Sequence, residues 1–378
     1  MAYKQIIKDN EQFINSVFQK LDKKLSVTSE RSRYKLPFTT VDGVHDDRKE
    51  SDILWWTNGF WGGLMWLMYN ATKKDCYKTT AKESEKILDK AFNHMQRLHH
   101  DVGFMWHILS GASYRLTGDI DSKNRNLIAA MSLMSRYNVD GDFIRCWNLS
   151  GFGSDVSGWT IIDAMMNIPL LYWASNEIGD TRFKKIAMRH ADMALRDHVR
   201  EDGSVNHIVI HDTNKPAVLG VNKGQGYSED SCWSRGASWA LYGFTLSYIH
   251  TKERRYLDTA IKVANYFIKQ TEKTDWLPRL DFCQPNEPLY YDSTAGAIAS
   301  CGLIELSKIL GDDYYLNSAL NILKAMEKNW CNWELNEDSI LQMGSNQYGA
   351  GIHIPIIYGD YFFTEAILKL KGEEFIPW

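Results

Sequence analysis

Hydrophobic and polar positions along this chain are grouped in blocks, and the blocks repeat. Six segments are apolar on nearly every side: residues 54–71, 102–116, 159–176, 233–250, 295–310 and 361–370. Between them lie segments that carry charge on one face, at 77–98, 182–195, 256–268 and 315–326. A first amphipathic stretch, over 3–21, places Ile6, Ile7, Phe13, Ile14, Val17 and Phe18 at helical spacing. A helix that is apolar all round belongs in a core, and a one-sided helix belongs on the surface of that core. The pattern therefore predicts about twelve helices, half of them inner and half outer.

Tight polar turns join each inner helix to the next outer one, at 72–77, 117–119, 179–183, 251–256 and 311–315. Repeated helical hairpins imply a solenoid or a closed toroid. Six pairs make an all-α (α/α)6 barrel, expected to hold the whole chain, 1–378, as one domain. Small residues in the inner set (Gly62, Gly111, Ala237, Gly243, Gly296) let helix backbones approach closely. No alternating pattern is long enough for a central sheet, although short strands are expected near 205–210.

Connections in the other direction are long: 26–52, 138–158, 200–231, 272–292 and 331–354. Long loops of this kind tend to carry function. All would lie where the inner helices begin, an end that also presents free N–H groups and the positive helix pole. The active site is expected there, in a form suited to an anionic ligand.

Composition narrows the choice. A net charge of −4 gives no footprint for nucleic acid or for an anionic membrane surface. No run is long enough to span a bilayer, and the first residues lack the apolar stretch of a signal peptide, so the cytoplasm is the expected compartment. The six cysteines are scattered with no CxxC pair, which suggests neither a zinc ribbon nor a redox motif. Aromatic residues make up 13% of the chain, and their flat faces suit sugar rings as well as large cores. Nothing in the sequence speaks to oligomeric state.

Asp163 stands inside an apolar run, too far from the expected helix start to cap it. Burial there favours a protonated carboxyl, which can act as a general acid. A structural Asp bonded to a neighbouring Trp or hydroxyl explains the position equally well. Asp101, after His99 and His100, opens an inner helix and reads first as an N-cap. The His-His-Asp string is a weak metal signal, because neighbouring histidines usually point apart. In 224–239, Gln225, Trp233, Arg235 and Trp239 surround a helix start. Arg235 can hold a carboxylate by two points or satisfy loop carbonyls, and the two indoles can form apolar walls. Trp55, Trp56 and Trp61 exceed what one core face needs, so some should face a central cavity. His207 is a lone loop histidine, more often a satisfied polar group than a catalyst. No phosphate-binding loop, GxSxG elbow or HExxH motif is present.

Taken together, these strings resemble the unsaturated glucuronyl hydrolases, glycoside hydrolase family 88, over roughly residues 52–370. The resemblance rests on Trp-Thr-Asn-Gly-Phe-Trp at 56–61, His-His-Asp-Val-Gly-Phe at 99–104, Ile-Ile-Asp ahead of Asn-Ile-Pro-Leu-Leu at 161–171, Trp-Ser-Arg-Gly at 233–236 and Tyr-Gly-Asp-Tyr at 358–361. It implies an (α/α)6 barrel that acts, without metal or other cofactor, on lyase-made oligosaccharides ending in a 4,5-unsaturated uronic acid. It makes Asp163 the general acid/base and Asp101 a second essential aspartate that holds ring hydroxyls. Trp56, His207, Gln225, Arg235 and Trp239 fall on substrate-binding positions, with Trp147 stacking on the next sugar. His100 and Trp233 are taken with that set. Asn58 stands where some relatives have Asp. Ser345, Tyr348 and Ala350 align to a Ser, Ser, Lys motif that streptococcal enzymes use for sulfated chondroitin fragments, so only the first is kept.

The nearest alternative is an unsaturated rhamnogalacturonyl hydrolase acting on pectin fragments. An N-acylglucosamine epimerase would need proton-shuttling histidines on inner helices, for which His107 and His250 are a poor pair. A non-catalytic sugar-binding toroid would tolerate loss of Asp163.

Overall fold

The computed structural model describes residues 2–148 and 155–378, so part of the expected loop 138–158 lies outside the described residues. Two helices, α1 (Ala2–Asp9) and α2 (Glu11–Arg31), replace the single expected first helix. The break falls at Asn10, whose side-chain amide turns back to the Ile6 carbonyl at 2.7 Å, a competition with the helix ladder that Asn often wins. The hairpin β1 (Thr40–Val41) and β2 (Val44–His45) precedes α3 (Phe60–Thr72) and α4 (Asp75–Leu88), and a 3₁₀ segment, Asp89–Arg97, extends α4. Next comes a π-helical stretch, Gly103–Gly111, continued by α5 (Ala112–Thr117), and then α6 (Ile120–Met134). Strands β3 (Tyr137–Asn138), β4 (Phe143–Ile144) and β5 (Trp159–Ile161) lead to a 3₁₀ turn, Ile162–Met166, and to α7 (Pro169–Ile178) and α8 (Thr181–Asp197). Strands β6 (Ile208–His211) and β7 (Val218–Asn222) are followed by α9 (Ser234–Thr251), α10 (Arg254–Glu272), α11 (Ser293–Leu310), α12 (Asp313–Trp330) and α13 (Ile357–Lys371).

The inner ring closes on itself. Helix α3 packs on the π-helical stretch, which packs on α7. From there α7 and its 3₁₀ lead pack on α9, then α9 on α11, α11 on α13, and α13 again on α3. Helices α2, α4, α6, α8, α10 and α12 each lie outside one inner partner. The (α/α)6 barrel expected from the repeat is thus the fold. The five short turns share one conformation at the helix end: Lys73, Gly118, Gly179, Lys252 and Gly311 all have φ between 58° and 74°. Such a left-handed residue satisfies the last carbonyls and reverses the chain. Close inner packing also needs Gly243, where a Cβ would come within 2.5 Å of the Met165 Cβ. At the far end, Trp378 runs back into the barrel and stacks on Phe362 at 5.6 Å, with its Nε1 donating to Glu365 at 3.0 Å.

One inner segment departs from the expectation. Residues 159–176 are not a continuous helix, because β-branched Thr160, Ile161 and Ile162 favour extended backbone and Pro169 starts the helix proper. Strands β5, β6 and β7 form a small antiparallel sheet in that order, with Ile161 opposite Ile208 and Ile208 opposite Asn222. Among the described residues no helix is long and apolar enough to cross a membrane.

Candidate active site

The small sheet brings three distant residues together. Asp163 lies two residues past the end of β5, His207 immediately precedes β6, and Gln225 lies three residues beyond β7. The register puts all three at one end of the ladder, and the Ile162 N–H donates to the His207 carbonyl at 3.1 Å. Asp163 therefore sits in a 3₁₀ turn at a strand-to-helix corner, and not within a helix; its residue is 8% exposed. The Gln225 backbone N–H donates to His207 Nδ1 at 3.0 Å, shorter than the 3.3 Å from that nitrogen to the Lys223 carbonyl, which favours the neutral ring with its proton on Nε2. That nitrogen faces Asp163 Oδ1 at 3.6 Å, beyond ordinary hydrogen-bond length. Gly224 must be glycine here, because with φ of 53° a Cβ would also lie 2.2 Å from His207 Nδ1.

Asp101 has a different environment. His99 Nδ1 approaches its carboxylate at 3.0 Å and His100 Nε2 at 3.1 Å. The adjacent rings converge on one carboxylate, contrary to the expectation that they point apart, because each outer nitrogen is anchored to a carbonyl. His99 Nε2 bonds the Leu54 carbonyl at 2.9 Å and His100 Nδ1 the Cys146 carbonyl at 2.8 Å. Burial alone would raise the Asp101 pKa, but the charge and hydrogen bond of His100, then those of His99, hold it well below the usual carboxylate range. His99 is raised in turn: burial opposes its charge, and Asp101 outweighs burial. The reading of Asp101 as an N-cap gives way to this cluster. The same three groups are the one set among the described residues whose donor atoms, all within 4.8 Å of one another, could hold a metal ion.

Asn167, which the sequence did not single out, joins the two aspartates. Its Nδ2 donates to Asp101 Oδ1 at 3.3 Å and to the Asp163 carbonyl at 3.2 Å, and its Oδ1 accepts the Phe104 N–H at 2.8 Å. Gly103 makes this possible, since a Cβ there would lie 2.7 Å from the Asn167 Cα. Its signals were a polar residue within an apolar string and its place at the head of Asn-Ile-Pro-Leu-Leu.

A cavity of about 310 Å³ opens beside Asp101, lined by Asp52, Trp55, Trp56, Arg97, His99, Trp147 and Asn148 among others. Trp55 and Trp56 are half-buried at its wall, whereas Trp61 is fully buried and donates to the Ser32 carbonyl. Asn58 shapes the turn beneath them by donating to the Asp52 and Ile53 carbonyls, at 3.1 and 3.0 Å, bonds an Asp could not make. Trp56 packs at 4.9 Å from Tyr358 and 5.5 Å from Phe104. Trp147 meets the edge of His100 at 6.3 Å. Trp233 and Trp239 stand behind the site as support: Trp233 lies 4.1 Å from the His207 ring, and Trp239 is fully buried against Phe104 and Tyr358. Several buried polar atoms without a partner among the described residues gather here: Asp163 Oδ1, His207 Nε2, Trp55 Nε1 and Trp233 Nε1. Polar groups of a bound ligand can meet these atoms.

Arg235 is 1% exposed and already committed. Its Nη1 pairs with Asp292 and donates to the Ser345 carbonyl at 2.6 Å, and its Nη2 donates to the Asn346 carbonyl at 2.7 Å. A two-point grip on a substrate carboxylate would require breaking these bonds; as it stands, the guanidinium fixes loop 345–350. Gln225 Nε2 ties to the same Asn346 carbonyl at 2.8 Å. Ser345 is buried, its hydroxyl donating to the Tyr291 carbonyl at 2.7 Å. His107 and His250 are both held uncharged by burial, His250 at about 4. His250 also lies in the last turn of α9, away from the site.

The closed helical barrel thus carries two buried carboxyls and an aromatic-walled cavity at one mouth, a setting suited to chemistry on a sugar. Residues 29–247 match the sequence profile of Glycosyl Hydrolase Family 88, and the chain belongs to that family. It is 32% identical to an unsaturated chondroitin disaccharide hydrolase of Streptococcus pneumoniae, over 97% of this chain and 93% of that one. It superposes on the unsaturated glucuronyl hydrolase of Bacillus sp. GL1 with a TM-score of 0.87 at 28% identity, covering 94% of this chain and 97% of the other. A variant of the Streptococcus agalactiae enzyme, complexed with dGlcA-GalNAc6S, superposes with a TM-score of 0.80 at 26% identity, over 97% and 93% of the two chains.

Proposed function

We propose that this protein removes the 4,5-unsaturated uronic acid from the non-reducing end of lyase-made, glycosaminoglycan-type oligosaccharides. The observation that carries the reading is the facing pair Asp163 Oδ1 and His207 Nε2, two buried polar atoms without other partners among the described residues, linked through Asn167 to Asp101 at the aromatic-walled cavity.

The chemistry follows from the substrate's vinyl ether. Asp163 gives its proton to C4, and the C4=C5 electrons form the new C–H bond. The positive charge that develops at C5 is shared with the ring oxygen. Water adds at C5 and returns a proton to the Asp163 carboxylate, so one group serves as acid and then as base. The resulting C5 hemiketal opens to a ketone, and the hemiacetal left at C1 expels the adjoining sugar. Because the bond to that sugar breaks outside the acid-catalysed step, the two flanking carboxylates of ordinary glycosidases are not required.

Asp101, held ionised by its histidines, accepts hydrogen bonds from the uronate hydroxyls, while Trp56 and Trp147 pack against the sugar faces. His207 and Gln225 meet the uronate beside the reacting carbon, with Trp233, Arg235 and Trp239 holding them from behind. His100 fixes Asp101. We read residues 1–378 as one catalytic barrel with an unsaturated oligosaccharide as its partner. Cysteines that form no disulfide suit a reducing compartment such as the cytoplasm.

An absorbance assay tests the proposal. The conjugated C4=C5 bond absorbs near the ultraviolet edge, and hydration removes that signal. Loss of absorbance on at least one sulfated or unsulfated lyase disaccharide is the expected outcome. Persistence across the whole panel would sink the proposal.

A further inference from the structure

We propose that Trp378 is a positioning residue for the sugar-binding wall: its indole, lodged inside the barrel, holds Phe104 and Phe362 and, through them, Trp56. The inference rests on the function proposed above and adds to it a residue outside the cavity that the sugar enters.

Trp378 lies beyond the last barrel helix and is 3% exposed. Its ring stacks on Phe362 at 5.6 Å with the two planes 3° apart. It also meets Phe104 at 5.9 Å, Tyr361 at 6.0 Å and Tyr242 at 6.4 Å, each edge to face. These partners come from three elements of the inner ring: the π-helical stretch, α9 and α13. The bond from its Nε1 to Glu365, at 3.0 Å, fixes the indole in rotation, and the Tyr242 hydroxyl donates to the same carboxyl group. Arg115 secures the backbone just before it, with Nη1 donating to the Ile376 carbonyl at 2.9 Å and Nη2 to the Pro377 carbonyl.

Two aromatic routes lead from this indole to the cavity. In the first, the Phe104 ring touches Trp56 at 5.5 Å. In the second, Phe362 meets Trp239 at 5.4 Å, Trp239 meets Tyr358 at 6.2 Å, and Tyr358 meets Trp56 at 4.9 Å. Every ring between the two ends is fully buried. Trp56 lines the cavity, whereas Trp378, Phe104 and Phe362 do not. Rings packed this closely have little slack. Removing the indole leaves a hole that its neighbours close only in part. Phe104 stays pinned by its N–H to Asn167 at 2.8 Å, but its ring can lean into the hole, and Trp56 then loses the surface it rests on. Asp163, His207 and Gln225 are placed by strand register, which this change leaves alone.

The test is the turnover of an unsaturated disaccharide that wild type accepts, with urea unfolding measured in parallel. Trp378→Ala should raise KM about five- to tenfold, the size of one lost aromatic contact, with kcat within about twofold of wild type. Trp378→Phe keeps ring contacts and gives up the bond to Glu365, and it should return KM most of the way. Leu316→Ala, a buried truncation on outer helix α12, should lower the urea midpoint with KM unchanged. In a Trp56→Ala background, Trp378→Ala should raise KM no further, because the wall it supports is already gone. If Trp378→Ala does not fold, Trp378→Leu carries the same comparisons. An unchanged KM in the folded variant, an equal rise in Leu316→Ala, or full additivity with Trp56→Ala overturns the assignment and leaves the hydrolase reading intact. Failure of wild type on every unsaturated disaccharide overturns that reading and this one with it.

Discussion

His207 Nε2 faces Asp163 Oδ1 across 3.6 Å, and neither atom has another partner among the described residues. The gap is a little too wide for a direct hydrogen bond, and a donor or acceptor of a bound sugar can reach both sides. If Asp163 delivers the proton, Asp163→Asn should lower kcat by about 10³-fold or more with KM little changed, since general acid catalysis supplies roughly 10²–10⁴. His207→Ala should cost less and raise KM as well. Steady-state kinetics on one unsaturated disaccharide distinguishes the two.

Asn167 carries a second, structural prediction. Asn167→Ala strands the Phe104 N–H and removes the bridge between the aspartates. A buried donor left unmet costs about 1–3 kcal/mol, so unfolding in urea should show a loss of that order alongside a fall in kcat. Gly103→Ala should reproduce much of the effect by pushing Asn167 away, with the Asn167 side chain still present.

The Asp101–His99 pair sets a pH window. The Asp101 pKa lies below its unfolded value of 3.8, so its contribution to stability is present above that value and fades as pH falls through the lowered one. The His99 pKa lies above 6.5, so its contribution is complete below 6.5 and fades as pH rises through the raised value. The ion pair is therefore whole between 3.8 and 6.5, and lasts beyond that until His99 deprotonates. Wild type should be more stable than His99→Gln near about pH 5.5, and the gap should shrink by about pH 9. Urea titrations at the two pH values measure it; a gap that widens with pH contradicts the pairing.

Arg235 should behave as a brace. Removing one partner of a buried ion pair costs about 3–5 kcal/mol, so Arg235→Gln should lower stability by roughly that amount even without substrate. A residue whose whole role was to grip a carboxylate would raise KM and leave the unfolding midpoint in place.

Much of this was legible before any coordinates. Helices apolar all round, helices apolar on one side, and polar turns holding Gly118, Gly179 and Gly311 pointed to a solenoid or a closed double ring, and six pairs favoured the ring, because burial and helix capping are local, periodic signals. Asp163 stood out for the same reason, as a carboxyl in an apolar run. What escaped depended on long-range pairing. Three residues of extended chain at 159–161 look like helix beside so much apolar sequence, and only their partners in β6 and β7 reveal a strand. Asn167 and the convergence of His99 with His100 depend on which carbonyls their side chains meet. Arg235 could not be assigned until Asp292 and Asn346 were found occupying its guanidinium.

The ladder of β5, β6 and β7 also separates two kinds of change open to this protein. The acid, its histidine and its amide are held to one another by strand register, so they move together or not at all. Trp147 comes from a segment outside that ladder, whereas loop 345–350 is tied to its end, the Tyr348 N–H donating to the Gln225 carbonyl at 2.9 Å. A change at Trp147 can therefore leave the spacing of Asp163, His207 and Gln225 untouched, whereas a change in loop 345–350 reaches Gln225 directly.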